Sequence, residues 1–404
     1  LGYVPGNIRI ISNLANMMKS SANLGQLKKF YKTIHNGYQR LYTGKSIKQN
    51  QIPYNMEKDI DRLSMENALM RFLKSGRKED AFDVYFCYLE MFVGVYADSR
   101  SMIEMLSEFE MNGSSLLMRH RDHYVHSIYV FALGLAIYET NAVFRAKYME
   151  VYGFDPVEGQ KKSAHHFLEY WGMASLFHDI GYPFELPFEQ VESYFEIRGE
   201  KRKNNPYMAY LGLEHFISID PDIQAELEQL YSEEKEKKFD STDELFAFAI
   251  QKRLGKVYRL SKDDMQVVLA TKPVNPNRFG YYMDHAYFSA SVLFQELYHG
   301  GGDGKKITEA GVDALTAIIL HNSLYKFSVA FYKSEINIPL EMKCHPLAYM
   351  LMLCDELQCW DRISYGRNSR TELHPMGCEL KLDDGKIEVK YLFDQTEKDK
   401  IDRF

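Results

Sequence analysis

The chain is poorly equipped for covalent cross-linking. It carries five cysteines in 404 residues, Cys87, Cys344, Cys354, Cys359 and Cys378, and no CxxC pair. An odd count in a chain this long argues against a disulfide framework and points to a reducing compartment. Long apolar runs are lacking too: the longest, Ile128 to Tyr138, is far too short to cross a bilayer. No secretory leader is read at the start, although the chain opens on Leu1 rather than Met, which weakens that absence as evidence. Charge of one sign is scarce. Lys and Arg number 49 against 56 Asp and Glu, a formal net charge of -7. So mild a balance disfavours stable binding to long duplex nucleic acid, while leaving room for a local basic groove beside a metal. There is no internal repeat and no low-complexity tract. A soluble, cytoplasmic protein without membrane association is expected.

What is present is ample material for a core, with 46% hydrophobic and 26% charged residues. The length suits two or three structural units, or one domain with insertions. Residues 1–113 read as a helical region. Met65 to Leu73 and Asp80 to Tyr96 carry apolar residues at three- and four-residue spacing and no chemical motif. A docking or dimerisation layer, and through it a homo-oligomer, is the plain expectation. Asn112-Gly113-Ser114-Ser115 breaks the pattern and can cap a helix over Leu116 to Glu139. A second helix is expected over Lys162 to Ile180, stopped by Gly181 with Pro183 beyond.

From Tyr182 to Tyr281 the composition turns polar. Arg198 to Asn205 reads as an exposed loop, and Ser232 to Lys238 as a solvated helix face. An insertion over about 184–280, closed by the turn-forming Pro273, Pro276 and Asn277, is expected to cover a site. Helical patterns resume at Asp284 to Tyr298, Val312 to Ser323 and Pro346 to Arg362. In the last segment, 366–404, Glu379 to Leu382 and Ile387 to Leu392 alternate around Asp383-Asp384-Gly385, a β-hairpin signature. The fold class expected is mainly α.

The chemistry sits on helix-borne histidines and carboxylates. His120, His123 and His126 recur every three residues along one broad helix face. His120 reads best as a surface residue. His126 lies where the helix becomes strongly apolar, and a buried histidine there needs a metal or a hydrogen-bond partner. His178-Asp179 follows Ala174-Ser175-Leu176-Phe177; neighbours about 100° apart on a helix rarely grip one ion, but at a helix end they can converge. Asp355 follows the apolar run Leu347 to Cys354, which is costly for a carboxylate unless it is paired or bound to a cation. His285 and His321 also adjoin apolar helical sequence. Each alone is as well explained by a satisfied core side chain, but five separate helices each deliver a His or Asp at the border of an apolar run.

That order, with Phe177-His178-Asp179-Ile180-Gly181-Tyr182-Pro183, Asp284-His285-Ala286 followed by Ser289-Ala290, and Cys354-Asp355-Glu356-Leu357-Gln358, resembles the HD superfamily of metal-dependent phosphohydrolases. The resemblance covers about Leu116 to Arg362 and implies an HD-domain helical bundle over 114–365. It implies that His126, His178, Asp179 and Asp355 hold a first metal. His285 and His321 match the places of the second-metal histidines, with Asp179 bridging both ions. The ions would be Mn, Fe, Co, Ni or Zn, with Mg as a further option. Gly181-Tyr182-Pro183 directly follows the His-Asp pair and is a different feature from the element of the HD-GYP branch, so it does not imply a cyclic dinucleotide substrate. The reaction implied is hydrolysis of a phosphoester or phosphoanhydride of a nucleotide, cyclic nucleotide or short oligonucleotide by metal-activated water. Asp179 would serve catalysis, and Arg121 and His123 would steady the phosphate. Arg121 as a surface salt bridge and His123 as a helix-face residue are equal alternatives. Arg362 is a weaker phosphate candidate, and Asp284 and Asn322 could orient ligands. An HD-type single-strand nuclease and a mixed-valent di-iron oxygenase use similar ligand orders and stay open.

Overall fold

The computed structural model describes residues 56–93, 123–182, 218–234, 238–258, 285–298, 306–322, 340–359, 377–383 and 386–392. Helix dominates these residues. By contacts the chain divides into two units, one of Leu1–Val95, Glu110–Leu168 and Leu353–Phe404, the other of Tyr96–Phe109 and Glu169–Met352.

In the first unit α1 (Met56–Ser75) and α2 (Lys78–Phe92) pack together. Gly76 joins them at φ +63, a left-handed conformation that costs glycine little. The centre of the unit is α3 (His123–Thr140), in which every residue from Ser127 to Tyr138 is buried. A helix apolar all round has no solvent face and must be core. This explains the Ile128 to Tyr138 run, and no single helix among the described residues is long and apolar enough to cross a membrane. The Tyr138 ring stacks on Phe167 at 4.1 Å, and its hydroxyl lies 2.7 Å from that of Ser163. Asn141 then turns the chain by 95° into α4 (Ala142–Val151), its side chain accepting the Phe144 N–H at 2.9 Å as an N-cap. The strands β1 (Gly377–Asp383) and β2 (Lys386–Leu392) pair antiparallel, Gly377 opposite Leu392 and Asp383 opposite Lys386, and β1 packs near α3.

The second unit takes the C-terminal part of α5 (Gln160–Phe177), then α6 (Pro221–Leu230), α7 (Thr242–Tyr258), α8 (His285–Tyr298), α9 (Glu309–Leu320) and the start of α10 (Pro346–Cys359). Helix α9 packs against both α7 and α8. Helices α6 and α7 fall inside the segment expected as an insertion. Leu245, Phe246, Ala247, Ile250 and Leu254 of α7 are nevertheless fully buried. A two-pronged ion pair ties α7 to α9, Arg253 Nε to Asp313 Oδ1 at 3.0 Å and Nη2 to Oδ2 at 2.5 Å. That part of the segment is core of its unit.

The charged run from Ser232 differs from the expected helix face: Tyr231 to Glu234 form turns, and 235–237 lie outside the described residues. The physical reason is the anchor before it. Tyr231 is buried against Phe239 and Phe248, with ring centroids 5.9 and 5.0 Å away, which ends α6 and turns the chain back.

His345 shows how a purely structural histidine is satisfied here. It precedes Pro346 at the start of α10, and its Nδ1 accepts the Ala348 N–H at 3.3 Å. Its Nε2 faces the Thr316 hydroxyl at 3.0 Å, and that hydroxyl donates to the Asp313 carbonyl at 3.1 Å. Burial pushes the His345 imidazole down to about 4, with the Asp313 charge opposing, so the ring stays neutral.

Candidate metal centre

The helix expected to run through Ile180 stops at Phe177. His178 to Gly181 form a turn instead, with the Ile180 N–H on the Phe177 carbonyl at 3.4 Å and the Tyr182 N–H on the Asp179 carbonyl at 3.2 Å. This removes the obstacle of adjacent helical residues pointing about 100° apart. His178 Nε2 lies 3.3 Å from Asp179 Oδ1, and both side chains are buried.

Gly181 serves a different purpose from the helix stop read in the sequence. The turn presses so close to α8 that a Cβ at Gly181 would strike the His285 carbonyl oxygen and come within 2.5 Å of the Ser289 nitrogen. The Gly181 N–H donates to the Ser289 hydroxyl at 2.7 Å. Only glycine permits this approach.

The approach sets His285, the first residue of α8, beside Asp179: His285 Nε2 is 3.4 Å from Asp179 Oδ1. His321, immediately after α9, brings its Nε2 to 3.9 Å from the same oxygen and 3.4 Å from His285 Nε2. Three imidazole nitrogens thus surround one carboxylate oxygen. The orientation of two rings is fixed from behind. His178 Nδ1 donates to the Ser175 carbonyl at 2.8 Å, and His321 Nδ1 donates to the Ile318 carbonyl at 2.5 Å. A proton held on Nδ1 leaves the Nε2 lone pair of the neutral ring pointing at Asp179.

This donor set fits a metal ion. Bonds of about 2.0–2.1 Å to tetrahedrally arranged donors place those donors roughly 3.4 Å apart. The spacing here, 3.3 to 3.9 Å around Asp179 Oδ1, is long for hydrogen bonds and close to that edge. The backbone carbonyls behind His178 and His321 are the partners that metal-binding histidines typically have. Asp179, His285 and His321 all lie in the second unit, are buried, and can together hold an ion.

In the first unit, His126 of α3 and Asp355 of α10 meet, Nε2 to Oδ1, at 2.9 Å. They are less deeply buried, with side chains 10% and 17% exposed. Neighbouring Cys354 is fully buried, and burial first, then the Asp355 charge, pushes its thiol well above the ordinary range. It is therefore a neutral thiol in the metal-free protein. His123 opens α3 and is buried. Asn322 is half-buried beside His321. Arg121, His120, Asp284 and Arg362 lie outside the described residues.

Three residues in these surroundings were given no individual function by the sequence reading. Ser289 receives the turn, Tyr182 stacks on His285 with ring centroids 3.9 Å apart, and His345 caps α10. His345 carried a local signal for its role, a polar residue directly before a proline that opens a helix. Compared with known proteins, the chain matches no family model, no curated protein and no solved structure.

Proposed function

We propose that the chain is an HD-type metal-dependent phosphohydrolase acting on a phosphoester or phosphoanhydride of a nucleotide-like substrate. The observation that carries this reading is the convergence of His178, His285 and His321 Nε2 on Asp179 Oδ1. Divalent ions of the Mn, Fe, Co, Ni or Zn class, when bound, make a coordinated water acidic and offset charge on phosphoryl oxygens. The protein's part is to hold them. The neutral imidazoles of His285 and His321 would take one ion with Asp179. The ligand order of the sequence assigns the other ion to His126, His178, Asp179 and Asp355.

Burial has a second use in this reading. Coordinating groups out of water act more strongly on a phosphate than exposed ones would, and they need no reorganisation as charge develops. Arg121 and His123 are proposed to steady the phosphate. The substrate class is drawn from the resemblance and from the mild acidity of the chain, which favours a small nucleotide or a short single strand over a duplex.

The test is a screen of the metal-loaded protein against nucleotides, cyclic dinucleotides and single-stranded DNA, with phosphate release and product size followed. Hydrolysis of a nucleotide-type phosphate ester or anhydride is expected, and it should vanish in His178→Ala/Asp179→Ala. Cleavage confined to single-stranded DNA would select the nuclease reading. Oxygen consumption by an iron-loaded sample with no phosphate release would overturn hydrolysis altogether.

A further inference from the structure

Gly181-Tyr182 stands out in the sequence directly after the His-Asp pair, and none of the chemistry above uses Tyr182. Its ring lies almost parallel to the His285 imidazole, 12° between planes and 3.9 Å between centroids. Tyr182 is 7% exposed, so the stack is an interior contact. His285 is thereby held on two sides by one short turn. Asp179 meets its Nε2 edge at 3.4 Å, and Tyr182 covers its face. The turn is itself fastened to α8 by the Gly181 N–H on Ser289, in a gap that admits no Cβ.

Rings this close and parallel restrict rotation of the imidazole about its side-chain bonds. His178 and His321 have their rotation set by hydrogen bonds from Nδ1 to carbonyls three residues back. His285 has its ring face covered as well, by the Tyr182 phenol. A ring bound to a cation is electron-poor, and the electron-rich face of a phenol attracts it further. The stack therefore favours both the orientation and the charge state of a coordinating His285.

We propose that Tyr182 is a positioning residue that sets the His285 imidazole for metal binding through this aromatic stack. This rests on the reading of Asp179, His285 and His321 as metal ligands. The requirement is aromatic rather than hydroxylic, so phenylalanine should substitute and an aliphatic residue should not.

The test uses the full chain and Co(II) alone as probe. Affinity is read by competition with a chelator, and ligand geometry by the visible absorption of the bound ion. Tyr182→Phe is expected to keep the wild-type spectrum and affinity within about twofold. Tyr182→Leu is expected to bind about tenfold more weakly with an altered spectrum, its metal-free form keeping the wild-type circular dichroism. If Leu disturbs folding, Tyr182→Met makes the same comparison at similar buried volume. Wild-type affinity and spectrum in a folded Leu or Met variant would overturn the proposal while leaving the metal centre standing. Failure of the wild-type chain to bind Co(II) would overturn the metal reading, and this proposal with it.

Discussion

His285, at the start of α8, and His321, immediately after α9, face each other through their Nε2 atoms at 3.4 Å. The His321 proton is held on Nδ1 by the Ile318 carbonyl, so its Nε2 offers a lone pair to whatever lies between the two rings. A shared cation would satisfy both rings and Asp179 at once. Replacing either histidine with alanine should lower the metal-to-protein ratio in elemental analysis. His345→Asn, which removes an equally buried imidazole but keeps a side-chain acceptor at the cap, should leave that ratio unchanged. An unchanged ratio in both His285→Ala and His321→Ala would remove the second-metal assignment.

Asp179 is the oxygen on which the three rings converge, and its substitution separates charge from shape. Asp179→Asn keeps the size and one carbonyl oxygen but loses the negative charge. It should weaken divalent-metal binding by at least about tenfold, because neutral amide oxygens are poor partners for ions of this class. The His178→Ala/Asp179→Ala variant should carry no metal above background. Retention of the wild-type metal content in that double variant would sink the site.

The turn that carries Asp179 should be unusually sensitive to one methyl group. Gly181→Ala places a Cβ against backbone atoms of His285 and Ser289, which cannot rotate away. Overpacking of this kind costs about 1–3 kcal/mol or more, and denaturant unfolding of the metal-free protein reads it. Ser289→Ala instead takes the acceptor from the buried Gly181 N–H, a loss of about 1–3 kcal/mol. Metal affinity should fall in both, since the same contact sets the spacing of Asp179 and His285. A fully stable Gly181→Ala would show that the turn does not sit this tightly on α8.

Much of this was legible in the sequence for identifiable reasons. The helical character of α3, α8, α9 and α10 follows from long apolar patterns, and such patterns specify element type well. The His-Asp pair and the two later histidines stood out because polar ligands at the borders of apolar helices are costly without partners. The exact end of α5 was not legible. Two more residues of helix and a turn starting at His178 both satisfy the same local pattern. What decides it is the docking of Gly181 on α8, more than a hundred residues along the chain. The same holds for α7, whose apolar residues look interrupted by charge until Arg253 finds Asp313. Long-range pairing of this kind leaves no mark in a local window. The Tyr182 stack is hidden for the same reason, since its partner begins a different helix.

Two buried groups of the second unit, Asp243 and His345, should contribute opposing terms to its pH dependence. Asp243 of α7 receives the Tyr287 hydroxyl at 2.6 Å, yet burial outweighs that bond and raises its carboxyl to about 7 from an ordinary 3.8. Between those values the native protein holds a proton that the unfolded chain has released, so stability falls as pH rises. His345 does the reverse. Its imidazole stays neutral in the fold down to about 4, whereas the unfolded chain takes up a proton below 6.5. Native stability is therefore lost as pH falls through that window. From about pH 4 to 6.5 the two slopes have opposite sign and offset one another. Asp243→Asn still accepts from Tyr287 but cannot titrate. Relative to wild type, its stability should rise with pH across the window by up to about 1.4 kcal/mol per unit. His345→Asn should show the mirror image. Denaturant unfolding at pH 4.5, 5.5 and 6.5, with chelator present so that metal binding adds no protons, measures both. Parallel curves for Asp243→Asn and wild type would mean that Asp243 is ionised in the folded protein, and that Tyr287, not burial, controls it.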